Sequence, residues 1–234
     1  MKIIRFILAT LVLVSAAIGL KAQGNQEAWA GLNIYAANNA KIRAEKIPVK
    51  AIFMGNSITQ MWAGMRPAFF KDNGYLGRGI GGQTTPQMLS RFRMDVVALA
   101  PQVVVINGGI NDIATNTGTY DFELTFGSIQ SMAEIAKANG IKVILTSVLP
   151  ASIIPWRKEI PAVSAKIDQL NAAIKEYCSK NGYTYVNYYS RLVSDDGSKG
   201  LPKELTLDGV HVTEAGYAIM EEVVKEAIES LVKK

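Results

Sequence analysis

The chain contains a single histidine, His211, and it closes the tetrapeptide Asp208-Gly-Val-His211. Imidazole is the side chain best suited to take a proton from a hydroxyl near neutral pH, so any serine nucleophile in this protein has one candidate base. A carboxylate three residues upstream, across a turn at Gly209, can reach the imidazole Nδ1 within one loop. There it would fix the tautomer and stabilise the imidazolium. Taken alone, Asp208 is equally a turn residue beside a surface or core histidine. The best-placed serine is Ser57. Gly55-Asn-Ser57 ends an apolar run and a helical pattern starts by Thr59, so the hydroxyl would stand at a helix N-terminus, where partial positive charge favours a developing anion. The plainer alternative is that Ser57 or Thr59 is an N-cap.

Acyl transfer also needs donors for the oxyanion. The Gly82 backbone N–H, in Gly79-Ile-Gly-Gly82, and the Asn111 side-chain amide, in Gly108-Gly-Ile-Asn-Asp112, would complete a three-donor hole with the Ser57 N–H. Glycine at position 82 would let the backbone approach substrate with no Cβ in the way. Alone, Gly81-Gly82 is a flexible loop and Asn111 a turn residue or cap. Three further residues are candidates for substrate contact. Trp62 lies just past Ser57, and Trp156-Arg157 lies in the loop after an apolar run. The two indoles would line the acyl or alcohol pocket and Arg157 would meet a polar or anionic part of the substrate; core packing is the alternative for Trp62.

These residues gain meaning from the elements that carry them. Apolar runs at Val49–Met54, Val103–Ile106, Ile141–Ser147 and Tyr183–Val186, with a weaker one at Tyr75–Ile80, alternate with helical patterns. The helical patterns cover Gln60–Phe70, Pro86–Leu99, Phe122–Asn139, Ala162–Asn181 and Glu214–Val232, after a helical or irregular lead-in from Asn25 to Lys46. Asn139-Gly140 and Asn181-Gly182 each read as a helix stop directly before a strand. This alternation predicts a three-layer α/β/α sandwich around a five-stranded parallel sheet, with the ligand crevice beyond the carboxyl ends of the strands. Ser57, Gly82 and Asn111 all fall at such ends.

A length of 234 residues and a composition 49% hydrophobic and 19% charged fit one globular domain. Residues 1–22 read as a secretory signal peptide: Lys2 and Arg5, an apolar run from Ile7 to Leu20 too short to anchor in a bilayer, and a small residue at Ala22 as the cleavage position. Residues 23–234 form the expected domain, with a periplasmic or extracellular location and no stable membrane anchor. Loss of Lys2, Arg5 and Lys21 reduces 25 basic residues to 22 against 20 acidic ones, so the net charge of +5 is mostly the leader's. No basic cluster interleaved with aromatics occurs, which argues against nucleic acid as a partner. Cys178 is expected to be buried and inert. One histidine and one cysteine far apart cannot supply a usual metal site, and Asp195-Asp-Gly197 reads as a solvated turn. Gly77-Arg-Gly-Ile-Gly-Gly82 matches a dinucleotide fingerprint in letters, but it follows the second strand and lacks the acidic residue such a site needs.

The blocks Gly55-Asn-Ser57, Gly79-Ile-Gly-Gly-Gln-Thr-Thr85, Gly108-Gly-Ile-Asn-Asp112 and Asp208-Gly-Val-His211 resemble the Ser, Gly, Asn and His blocks of the SGNH (GDSL-like) hydrolase superfamily, in their order and approximate spacing. The likeness runs from about Val49 to the C-terminus. Pro155-Trp-Arg157, Ile167–Asn171 and Thr213-Glu-Ala-Gly216 are similar, less specifically, to its acetylhydrolase-like branch. The resemblance implies a flavodoxin-like sheet and ester hydrolysis without metal or cofactor. It also implies Ser57 as nucleophile, Gly82 and Asn111 as oxyanion donors, His211 as base and Asp208 as its partner. Asn56 departs from the namesake Gly-Asp-Ser. The expected function is removal of a short acyl group, such as acetate, from a carbohydrate or other small ester. The alternatives are acyl transfer at the same site and a non-catalytic carbohydrate-binding module.

Overall fold

Each of the five apolar runs becomes a strand, and all five join one parallel sheet in a computed structural model that describes residues 28–232. The expected signal peptide and its cleavage position lie outside the described residues. The strands are β1 (Ala51–Gly55), β2 (Tyr75–Gly79), β3 (Val103–Asn107), β4 (Lys142–Thr146) and β5 (Thr184–Val186), in spatial order β2-β1-β3-β4-β5. This is the flavodoxin-like order, in which the connections change direction beside β1 and β3 and open a crevice there. Gly55 pairs with Gly79 on one side and Asn107 on the other, so three strand ends stand level at the crevice floor.

Helices cover both faces. One set comprises α1 (Ala36–Ala44), α4 (Thr85–Asp95), α6 (Phe122–Ala138) and α7 (Val163–Asn181), and the other α2 (Ser57–Met65), α3 (Pro67–Asn73) and α9 (Glu214–Val232). Two short helices, α5 (Ile110–Ile113) and α8 (Tyr189–Leu192), cap strand ends. Val103, Val104, Val105 and Ile106 are all fully or almost fully buried, as a β-branched central strand covered on both faces requires. The helix expected over Gln60–Phe70 is instead two. Pro67 lacks an N–H and restricts the residue before it, so Arg66 leaves helical geometry (φ −123°, ψ 52°) and the chain restarts as α3 with Pro67 in its first turn. Cys178 is buried, and burial pushes its thiol up to about 12, as an inert core residue demands.

Candidate active site

The first turn of α2 begins directly at the end of β1. Its N-cap is Asn56, whose Oδ1 accepts a hydrogen bond from the Ile58 N–H at 3.0 Å. The capping role is therefore filled, and the Ser57 hydroxyl is free of it. Ser57 is the first helical residue, and its N–H has no acceptor within the helix. Gly79 makes this packing possible: a Cβ there would lie 2.2 Å from the Gln60 nitrogen and 2.5 Å from the Asn56 carbonyl oxygen. The helix start thus lies directly on the end of β2, a contact only glycine allows.

The half-buried Ser57 Oγ lies 2.8 Å from His211 Nε2. On the other side of the ring, Nδ1 lies 2.7 Å from Asp208 Oδ2. The turn that presents this pair is locally built. Asp208 Oδ1 accepts from the backbone N–H groups of Val210 and His211 at 2.9 and 2.8 Å. Thr206 Oγ1 accepts from the Gly209 N–H at 2.7 Å and donates to the His211 carbonyl at 2.8 Å, and Gly209 takes a left-handed φ of +96° to close the loop. Burial works to raise the Asp208 pKa, but the hydrogen bonds from His211 and Val210 outweigh it, and the carboxyl is held below its ordinary value. The start of α9 is tied to α2 by Tyr217, whose hydroxyl donates to the Ile58 carbonyl at 2.8 Å.

The Gly81-Gly82 loop borders the same spot. A Cβ on Gly81 would stand 3.9 Å from Ser57 Cβ, and the Gly81 N–H donates to Gln60 Oε1 at 2.8 Å. The Gly82 N–H donates to no group among the described residues. Glycine at 82 also answers a backbone requirement. A Cβ there would meet only Asn116 Nδ2, at 3.9 Å, whereas its φ of +76° lies where other residues are strained. Asn111 is buried in α5, and its Nδ2 donates to the Gln83 carbonyl at 2.9 Å. One amide hydrogen thus pins the loop after Gly82, leaving the second for another acceptor.

Two residues that sequence reasoning passed over hold this floor in place. Arg91 is fully buried in α4, and its guanidinium donates to the carbonyls of Gly55 and Arg78 (both 2.9 Å), to Gln83 Oε1 (2.6 Å) and to Asp95 Oδ2 (2.8 Å). One side chain thereby joins the ends of β1 and β2 to the loop that follows Gly81-Gly82. Burial lowers its pKa, opposed by Asp95. Asp112, next to Asn111, accepts from the Thr85 N–H at 3.0 Å and the Thr85 hydroxyl at 2.7 Å, fixing the first turn of α4 against α5. Burial pushes its carboxyl up to about 6 in spite of those bonds. The acidic residue that closes the Asn block was a signal for Asp112; an arginine in a helical pattern carries no mark of burial.

The substrate-contact candidates separate. Trp156 is exposed, its ring 5.9 Å from that of His211, and its Nε1 donates to Asn116 Oδ1 at 3.5 Å. Arg157 extends to the Thr115 carbonyl and Glu159, both at 3.5 Å, at the same rim. Trp62 does not belong to the crevice. It is 2% exposed, stacked between Phe69 and Tyr217, with Nε1 donating to Glu221 at 3.1 Å. Five residues after Ser57, at about 100° per residue, it points about 140° away around the helix, into the core.

The GDSL-like lipase/acylhydrolase family model matches residues 53–219, which include every block of this site. The chain belongs to that family. It is accordingly a hydrolytic enzyme of the SGNH superfamily. A GDSL-like lipase from Bacteroides thetaiotaomicron is 52% identical over 86% of this chain and 98% of its own, with a TM-score of 0.83. A candidate acylhydrolase from Bacteroides fragilis is 49% identical over 87% and 98%, with a TM-score of 0.82. An acetyl-xylooligosaccharide esterase from Geobacillus shares the fold at 20% identity, over 78% and 96%, with a TM-score of 0.59. Comparison with curated proteins returns no match. Against the family's namesake Gly-Asp-Ser, this GDSL-like member keeps the helix-capping oxygen at Asn56 and places a buried amide nitrogen, with no partner among the described residues, where the second carboxylate oxygen would be.

Proposed function

We propose that this GDSL-like hydrolase is an exported serine esterase that removes a short acyl group, acetate foremost, from a carbohydrate or similar small ester. The observation that carries the reading is the continuous hydrogen-bonded line from Ser57 Oγ through His211 to Asp208. In the first half-reaction His211 Nε2 takes the Ser57 proton as Oγ attacks the ester carbonyl, and negative charge grows on the carbonyl oxygen. The N–H groups of Ser57 and Gly82 and the free amide hydrogen of Asn111 receive that charge. The imidazolium, steadied by the Asp208 carboxylate, then protonates the departing alcohol. Water repeats the sequence on the acyl-serine and releases the acid.

A short acyl group is supported by the rim. Residues 80–84 and 108–109 connect their strands and helices directly, and among the described residues these strand ends carry no long apolar insertion. The carbohydrate part of the reading draws on the expected export and on the acetyl-xylooligosaccharide esterase that shares the fold. Release of acetate from a panel of acetylated glycans, alongside p-nitrophenyl esters of increasing chain length, tests both. Acetyl esters should be cleaved fastest; preference for chains of eight or more carbons would overturn the short-acyl reading.

A further inference from the structure

Residues ahead of the family-matched segment build a second wall beside the oxyanion loop. Their backbone is held: Gln87 Nε2 donates to the Trp29 carbonyl at 2.6 Å, Gln83 Nε2 to the Ala30 carbonyl at 2.8 Å, and the Tyr35 hydroxyl to the Gly79 carbonyl. Ala30 is buried, yet the neighbouring large side chains are turned outward, with Trp29 46% and Ile34 53% exposed. Together with Ile80, Gly81, Gly82 and Asn116 they line a groove of about 320 Å³, within the lower range of small-ligand sites. The backbone is anchored while these two apolar side chains stay partly exposed along one groove, so their outward area is open to a ligand.

The groove is continuous with the reaction centre. Gly82 lines it and also offers its N–H toward the oxyanion position. Asn116 stands at the junction: its Nδ2 donates to the Gly82 carbonyl at 3.0 Å, and its Oδ1 accepts from Trp156, whose ring faces His211. Two exposed indoles thus meet at Asn116: Trp29, which lines the groove with it, and Trp156, which donates to it beside His211. Flat indole faces with amide and hydroxyl groups between them, here Asn116 and Thr117, match a saccharide chain. Its C–H faces pack on aromatic rings while its hydroxyls keep hydrogen-bond partners.

We propose that Trp29 and Ile34 form a subsite for a sugar unit next to the acylated one, so that the preferred substrate is an acylated neutral oligosaccharide spanning from Trp156 across Ser57 to Trp29. This assignment of substrate class rests on the esterase reading above. A monosaccharide ester or an aryl acetate fills only the centre of that span and leaves Trp29 untouched.

The test compares wild type with Trp29→Ala and Ile34→Ser on p-nitrophenyl acetate, p-nitrophenyl octanoate, acetylated xylose and acetylated xylotetraose. Binding of deacetylated xylo-, cello-, manno- and chitotetraose is measured by calorimetry in parallel. Wild type should show kcat/KM at least tenfold higher on the acetylated tetrasaccharide than on the monosaccharide. Trp29→Ala should erase that gain through KM, weaken tetrasaccharide binding at least fivefold, and leave p-nitrophenyl acetate hydrolysis and Tm unchanged. Hydrolysis of p-nitrophenyl acetate with no tetrasaccharide gain and no binding of any tetraose overturns the subsite and spares the esterase. Tetraose binding that depends on Trp29, without any ester hydrolysis, overturns the esterase reading and upholds the subsite. A Trp29→Ala effect confined to long-chain acyl esters assigns the groove to an acyl chain and overturns the proposal.

Discussion

Ser57 and His211 are separated by 154 positions in the chain and by 2.8 Å in space. Among the described residues the hydroxyl has no other hydrogen-bond partner, and Asn56 fills the capping role at the start of its helix. Replacing Ser57 or His211 with Ala should therefore lower kcat on p-nitrophenyl acetate by about a thousandfold or more while Tm stays within a few degrees. Stopped or initial-rate assays on variants confirmed as folded by circular dichroism check this. Retention of activity within a few fold of wild type would remove the Ser-His mechanism.

Asp208→Asn keeps an oxygen for the Val210 and His211 N–H groups but loses the charge and can donate to Nδ1, which favours the wrong imidazole tautomer. A fall in kcat of about a hundred- to ten-thousandfold is expected with KM little altered. In wild type the Asp208 pKa is depressed, so its carboxylate is present above the ordinary carboxylate range and is lost only as pH falls through that lowered value. Across neutral pH it stays charged, so ionisation of Asp208 should add no limb to the kcat/KM profile there. A limb between pH 5 and 8 that is present in wild type and absent from Asp208→Asn would contradict this.

Trp62 and Trp156 should respond oppositely to truncation. Trp62→Ala empties a stacked core position and removes a hydrogen bond to Glu221, so a stability loss of about 3–5 kcal/mol is expected with KM unchanged in the folded fraction. Trp156→Ala should leave stability within about 0.5 kcal/mol and raise KM. Urea melts and steady-state kinetics on the two variants separate the roles. A KM effect from Trp62→Ala without destabilisation would return it to the crevice.

Asp112 gives the pH dependence of stability a component of unusual sign. Its folded pKa of about 6 lies above the ordinary 3.8, so the folded state holds this proton more tightly than the unfolded one. Stability from this group is therefore present at low pH and declines as pH rises from about 4 to about 6, by on the order of 1–3 kcal/mol. The unfolding free energy of wild type minus that of Asp112→Asn, measured at intervals across that range, should fall as pH rises. A difference that stays flat would show that the buried carboxyl carries no such shift.

The sheet was readable because its signals are local. β-branched runs and Asn-Gly stops sit in single windows of sequence, and their alternation points to a parallel sheet, though not to its strand order. Proline at position 67 was an equally local signal, and helical periodicity running across it concealed the break. His211 and Asp208 were legible through scarcity and spacing, and Asn56 could have been recognised as the cap from its residue type alone. Arg91 was not legible, since its importance lies in four acceptors contributed by β1, β2, the oxyanion loop and its own helix, which come together only in three dimensions. Trp62 stayed open between crevice and core in the sequence, because nearness along a helix does not fix nearness in space. Trp29 lies in the lead-in, where the sequence carries no pattern that ties it to a loop more than fifty residues on.

The Thr206–Thr213 turn also divides the site by the chain entropy needed to assemble it. Asp208 and His211 meet across a loop of a few residues, a closure that costs little and that survives loosening elsewhere, whereas Ser57 is reached only by closing a loop of 154 positions. The long closure is secured where Tyr217 grips Ile58. Undocking of α9 would leave an intact acid–base pair with nothing to activate, so turnover reports the final long-range closure of the fold and should vanish before the sheet melts.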